Sequence, residues 1–162
     1  MQISFRTWLY AGLLLGAILG LFLFQLWQSE RQVELHSEHL LEAVEQNDWE
    51  DVTTFIAGDY SDQWGHDRTL LLARLRGVLT SARNLQIEAG EIRARAEGEE
   101  GSWRARIRVE AEANEVSDYI KRHVNVLEEP FLLTWRQRSW KPWDWQLVGV
   151  TNPALELPVS PY

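Results

Sequence analysis

Three hydrophobic periods follow one another along the chain. From Trp8 to Trp27 nearly every residue is apolar or small, and Gln25 is the only strongly polar one. As a helix rising about 1.5 Å per residue, that stretch spans roughly 30 Å, the thickness of a bilayer's hydrocarbon core. From residue 29 the period becomes that of an amphipathic helix. Val33, Leu40, Leu41 and Val44 mark one side of 29–46, with Glu30, Glu34, Glu38, Glu42 and Glu45 on the rest. No Gly or Pro separates this segment from the apolar one, so a single helix is expected to run through both. Asn47-Asp48 reads as a break and N-cap for a second helix bearing Trp49, Val52, Phe55 and Ile56, ended by Gly58. After a polar loop, Asp67 caps a third helix to about Arg83, buried through Leu71, Leu72, Leu75, Val78 and Leu79.

Beyond Asn84 the period falls to two, the mark of strands. Leu85, Ile87 and Ala89 alternate with polar residues; past Gly90 the alternation resumes with opposite parity at Ile92, Ala94 and Ala96. A bulge at Gly90 reconciles the halves as one bent strand over 85–97. Gly98-Glu99-Glu100-Gly101 reads as a four-residue hairpin loop, followed by Trp103, Ala105, Ile107, Val109, Ala111 and Ala113 inward with charged residues between. Asn114 caps a short helix over 115–124. Two more strands are predicted at about 130–139 and 143–151, joined at Lys141-Pro142. The organisation is therefore a tail (1–6), a membrane anchor (7–28), an α+β domain (29–151) and a Pro-rich extended tail (152–162).

Charge narrows the partners. Arg6 is the only charged side chain before Glu30, so the remainder carries 15 basic and 24 acidic side chains, a net −9 against −8 for the whole chain. That balance argues against nucleic acid as the main partner. The absence of cysteine excludes disulfides, thiolate zinc sites and cysteine nucleophiles. A cleavable signal peptide would end in small residues, whereas this apolar run ends Phe22-Leu23-Phe24-Gln25-Leu26-Trp27-Gln28, so an uncleaved signal anchor is expected. With Arg6 and a short tail on one side, the expected topology is N-terminus cytoplasmic and domain extracytoplasmic, periplasmic in a Gram-negative bacterium. Gly12, Gly16 and Gly20 share one helix face, which suits close contact between membrane helices.

Three helices before a bent, hairpin-rich sheet, the Asn47-Asp48-Trp49-Glu50-Asp51 helix opening, the Gly58-Asp59-Tyr60 exit and the aromatic closing hairpin Trp135…Trp145-Gln146-Leu147 carry a resemblance over 30–151. The chain resembles the nuclear transport factor 2-like superfamily, SnoaL-like domains included. A cystatin-like fold with one helix on the sheet is the alternative, and three helices before the first strand count against it. The resemblance implies three helices packed on a strongly bent antiparallel sheet of about four strands, enclosing a cone. In some members the cone binds or transforms hydrophobic small molecules; in others it is filled and the domain is an assembly module. An anchor followed by such a domain is similar in architecture to bitopic components of type IV secretion channels and to membrane proteins associated with mycobacterial lipid import. The tail before this anchor is too short for a cytoplasmic interaction segment of its own.

Enzymes of that superfamily place an Asp, Tyr or His in the cone, which points to Asp59, Tyr60 and His66, with Asp62 and Asp67 nearby. None is a convincing catalytic group: the loop is polar, Asp62 is expected to be solvated and Asp67 to serve as a cap. His36, His39 and Glu42 are spaced to share a helix face, but two histidines make a weak metal set, and no metal or cofactor is expected. Trp103, Trp135, Trp143 and Trp145 line either the core or an aromatic platform. Pairing across the four-residue loop sets Arg93 opposite Arg106, Arg95 opposite Arg104 and Arg108 opposite Glu91, an arginine cluster on the outer sheet face. It is either a solvated face with Glu97, Glu110 and Glu112 interleaved, or a surface for an acidic counterpart: the glutamate-rich first helix of another copy, or anionic lipid or polysaccharide. The chain reads as a non-catalytic assembly module anchored through residues 8–27 of the bilayer-spanning stretch, self-associating or docking to a membrane complex. The alternatives are a binding module for a hydrophobic or glycan ligand and a dehydratase or isomerase using Asp59, Tyr60 or His66.

Overall fold

The computed structural model describes residues 10, 12–20 and 27–156. The element order is α1 (Ser29–Glu45), α2 (Trp49–Phe55), α3 (Arg68–Leu79), β1 (Gln86–Glu97), β2 (Glu100–Glu110), α4 (Glu115–Val124), β3 (Phe131–Gln137) and β4 (Trp145–Thr151). The strands form one antiparallel sheet in the order β1-β2-β3-β4. This is the expected α+β class.

Local chemistry sets the helix ends. Asn47 adopts the left-handed conformation (φ 56°), and the N–H groups of Asn47 and Asp48 donate to Val44 O and Ala43 O at 3.1 and 2.9 Å, closing α1. The side chain of Asp48 then accepts from Asp51 N–H, and that of Asp67 from Leu70 N–H, both at the expected caps. Asn114 and Ser117 form a reciprocal capping box at α4. The expected continuous helix through residue 28 is corrected. Gln28 is extended (φ −64°, ψ 129°) and its carbonyl starts α1 by accepting from Gln32 N–H at 3.0 Å. The direction of α1 is set by its packing on the sheet, so the chain turns at Gln28.

The β1–β2 hairpin differs from expectation in one respect. Its turn has two residues, Gly98-Glu99, with Gly98 at φ +61°, rather than four. Gly101 is needed inside the strand instead. A Cβ there would lie 2.4 Å from Val33 Cγ2 and 3.0 Å from Trp145 Cζ3, because α1 closes directly on β2. The bulge falls between Gly90 and Arg93, where sequence parity places it, but the left-handed residue is Glu91 (φ 55°), not Gly90.

The concave sheet face buries Trp103, Ala105, Leu133, Trp135, Trp145 and Leu147 against Val33, Leu40, Val44, Val52 and Ile56. The free edge of β4 is covered by the chain after α2: Ala57 N–H donates to Leu147 O and Ser61 N–H to Val148 O. The third helix falls short of expectation. It ends at Leu79, the one buried residue of α3, while Val78 is exposed and Leu71, Leu72 and Leu75 are partly covered. It leans on α2 rather than on the sheet, so half of its apolar side has no layer to bury into.

Residues 12–20 are helical and leave Leu13, Leu14, Leu15, Ile18 and Leu19 exposed. Among the described residues no helix is long and apolar enough to cross a membrane, and the expected span 8–27 lies partly outside them. The expected extended tail also lies largely outside the described residues. Replacing Gly101 by Ala should destabilise the protein by about 1–3 kcal/mol, read as a lower midpoint in chemical denaturation, because Val33 and Trp145 leave the methyl no room.

Candidate functional site

The loop after α2 holds the expected acid/base candidates, and the structure separates them. Tyr60, Asp62 and His66 come together. The Asp62 side chain is fully buried (0% exposed), which corrects its expected solvation. Its Oδ1 accepts from Trp64 N–H (3.0 Å) and His66 N–H (2.8 Å), and its Oδ2 from His66 Nδ1 (2.9 Å) and the Tyr60 hydroxyl (3.3 Å). A carboxylate acceptor fits the tautomer with the proton on Nδ1, which leaves Nε2 as the basic nitrogen, without a partner among the described residues. Burial first, then the Asp62 carboxylate, push the Tyr60 phenol above its ordinary value near 10, and a hydrogen bond with the Val150 backbone offsets this only in part.

Asp59 points elsewhere. It is held by Arg138 and, at 2.7 Å, by Arg136; these partners, Arg138 foremost, keep its carboxyl below the usual range. It is an exposed tie between the loop and β3, not an acid facing a substrate. A second tie was not legible in the sequence. Asn152 is fully buried: its Nδ2 donates to Glu129 O, its Oδ1 accepts from Ala154 and Leu155 N–H, and its backbone exchanges hydrogen bonds with the Gln63 side chain. Trp64 Nε1 also donates to Leu155 O at 2.9 Å. Only the polar run Gln63-Trp64 and the Asn-Pro at 152–153 signal it, and neither specifies a partner.

The interior of the cone is packed. Trp103 and Trp135 are both 0% exposed, and Trp145 is buried with its Nε1 donating to Pro142 O. Trp135 meets Phe55 and His36 edge-on at 6.4 and 5.9 Å. The indole N–H groups of Trp103 and Trp135 find no acceptor among the described residues, a cost the core carries. Two grooves of about 500 and 490 Å³ open on the surface. One is lined by Trp49, Glu50, Thr53, Leu72, Ala73 and Arg76, the other by Ser81, Arg83 and residues 112–116 at the start of α4. Neither is lined by Tyr60, Asp62 or His66. The expected aromatic set therefore divides: Trp103, Trp135 and Trp145 are core, while Trp143 is exposed.

The outer sheet face carries the arginines, in a register two residues from the expected one after the bulge and three before it. Arg93 lies opposite Arg104, Arg95 opposite Ser102 and Arg108 opposite Glu88. The two-residue turn causes the shift of two, and the bulge adds the third residue. The bulge swings Glu91 onto Arg106 at 3.2 Å. Arg93, Arg95, Arg104 and Arg108 are exposed and pair with no described residue. His36 has both ring nitrogens on carbonyls, Nδ1 on Gln32 O at 2.7 Å and Nε2 on Trp143 O at 3.0 Å, so neither is free for a metal. Among the described residues no three His, Cys, Asp or Glu side chains converge. A Cβ added at Gly12, Gly16 or Gly20 would meet nothing within 4 Å, so that face is open.

No family model matches the chain, and no curated protein matches it in sequence. Solved structures do resemble it. Bd1075 of Bdellovibrio bacteriovorus superposes with a TM-score of 0.59 at 10% identity over 75% of this chain, which spans only 38% of that protein. An NTF2-like protein of unknown function from Pseudomonas putida gives 0.56 at 13% identity over 75% of this chain and 82% of that one. A candidate dehydratase of the NTF2-like family from Streptomyces avermitilis gives 0.56 at 15% over 75% and 91%. At such identities the likeness shows the fold alone: the domain has the NTF2-like fold.

Removing the Asp62 carboxylate strands four buried or half-buried donors. Asp62→Ala should therefore cost roughly 2–5 kcal/mol in denaturation, and Asp62→Asn, which keeps one acceptor, distinctly less. The folded state holds the Tyr60 proton more tightly than the unfolded chain does. That contribution is whole below about pH 10 and is lost as the pH rises above it. Ultraviolet titration should find one tyrosine that ionises only with unfolding, and Tyr60→Phe should flatten the alkaline loss of stability.

Proposed function

We propose that this protein is a membrane-anchored, extracytoplasmic assembly module that works through its surface rather than through its cone. The observation that carries the reading is the outer sheet face, where Arg93, Arg95, Arg104 and Arg108 stand exposed with no salt bridge among the described residues, Arg93 directly opposite Arg104, in a chain of net charge −8. Like charges directly opposed across strands weaken a sheet. An acidic surface docked on them turns that cost into attraction. A two-fold pairing of outer face on outer face would set arginines against arginines. The counterpart is better supplied by the exposed Glu38 and Glu42 of α1, which lies on the opposite side of the sheet. Contact between opposite faces of two copies is head-to-tail, and such contacts close into rings when the rotation allows. The packed interior supports the same reading, because a ligand would have to displace Trp103 or Trp135. The apolar stretch 8–27 supplies the anchor, and its open glycine face supplies a second contact between copies in the same membrane.

A second reading, a dehydratase or isomerase at Tyr60, Asp62 and His66, is favoured by the Asp62–His66 hydrogen bond, which orients a base as such chemistry requires. It needs a route to His66 Nε2. Acylation by diethyl pyrocarbonate separates the two: the assembly reading expects His66 to react more slowly than His39, and fast labelling of His66 supports the enzyme. For the assembly itself, reversing Arg93, Arg95, Arg104 and Arg108 to Glu should break oligomers of the full chain in mild detergent. Adding Glu38→Arg and Glu42→Arg should restore them. An unchanged oligomer after the reversal, or a wild-type monomer at low salt, rules out this surface.

A further inference from the structure

Two large aromatic side chains are turned out of the fold at one end of the domain. Trp140 is 86% exposed and Trp143 55%, both in the β3–β4 turn, with Lys141 and Pro142 between them. A tryptophan that covers no core is costly to leave in water, and two together at one tip call for a surface that takes both ring and N–H.

The fold places that tip beside the start of α1. Val33 sits on Gly101, which also touches Trp145, so the first turns of α1 lie over the sheet end where both hairpins turn. His36 Nε2 reaches the Trp143 carbonyl at 3.0 Å, which pins the tip to α1 within two turns of Ser29. The hairpin runs on past its last pair, Gln137–Trp145, toward that same end. The tether there is short. The apolar stretch ends at Trp27 and α1 begins at Ser29, and two residues of extended chain reach about 7 Å. Trp27 is itself exposed. Trp27, two residues before α1, thus stands at the same end of the domain as Trp140 and Trp143.

We propose that Trp140 and Trp143 insert into the interfacial layer of the bilayer that holds the anchor, so that the β3–β4 tip is a second membrane contact. The proposal rests on the anchored reading of residues 8–27. Tryptophan is the side chain that favours the headgroup boundary, where its ring is buried and its N–H stays hydrated. The charges facing the tip are mixed. Lys141 and Arg138 stand on the tip with Asp144, and Glu97, Glu99 and Glu100 on the neighbouring turn, with Arg138 already paired to Asp59. The contact is therefore made by the rings, and it does not depend on anionic lipid. Its consequence is orientation: tether and tip together fix how the domain stands on the membrane, with the arginine face of the sheet turned sideways toward neighbouring copies.

The chain has no cysteine, so single labels can be introduced cleanly. Full-length protein carrying an environment-sensitive fluorophore at Lys141→Cys, Leu19→Cys or Arg83→Cys would be reconstituted into phosphatidylcholine vesicles containing lipids spin-labelled near the headgroup or deep in the chain. Leu19 reports the anchor, and Arg83, beyond the far end of β1, is the aqueous control. The expected result is deep quenching at Leu19 and headgroup-level quenching at Lys141 about twofold above that at Arg83. Trp140→Ser with Trp143→Ser should abolish the Lys141 signal while leaving Leu19 quenched. A Lys141 label as unquenched as Arg83, with Leu19 deep, overturns the tip contact and leaves the anchor standing. An unquenched Leu19 overturns the anchor, and the proposal with it. Circular dichroism of the double serine variant guards against loss of fold.

Discussion

The close approach of α1 to β2 at Gly101 is the contact on which the rest of the domain depends. Val33 is fully buried there, and only a residue without a Cβ lets the helix axis come so near. From that contact the remaining arrangement follows. The helix must run so that Leu40, Ala43 and Val44 cover the concave face, and Phe55 and His36 then close edge-on over Trp135. The same contact fixes which end of the domain receives the N-terminal segment. Packing and orientation are one constraint here, because the residue that lets the core close also sets the end of the domain at which the N-terminal segment arrives.

A cone packed with tryptophan supports the proposal that this protein works through its surface. Two indoles without exposure occupy the volume in which a ligand would sit, and the best-oriented acid/base pair, Asp62 and His66, is engaged in holding its own loop. That loop is tied on three sides: to β4 through the backbone of Ala57 and Ser61, to β3 through Asp59, and to the tail through Asn152. Surface electrostatics point the same way. On the exposed outer face Arg93 lies directly opposite Arg104, a like-charge pair that costs the monomer something and that the proposed acidic partner would offset.

The periodic parts of the fold were legible in the sequence because they follow from short-range rules. Asp48, Asp67 and Asn114 announced three helices through the chemistry of free N–H groups, and the parity change around Gly90 announced a bulge before any pairing was known. What was not legible depends on distant partners. The hairpin turn has two residues rather than four because Gly101 is required by Val33, a residue 68 positions earlier in the chain. Asp62 looks solvated in its polar loop and is buried because four donors converge on it. Trp143 and Trp145 are indistinguishable in sequence, yet one is exposed and the other core, since the hairpin leaves the sheet between them. Sequence patterning placed the arginines correctly on the outer face, but their pairing required the true turn.

Whether the domain assembles through its surface or holds a ligand in its cone can be tested in one measurement. Native mass spectrometry of the whole chain, kept in mild detergent at low ionic strength, reads both at once. An assembly module should give multiples of the 18.9 kDa chain with no further small-molecule mass, collapsing to monomer as salt is raised. A monomer at every ionic strength that carries a bound hydrophobic or glycan ligand would contradict it.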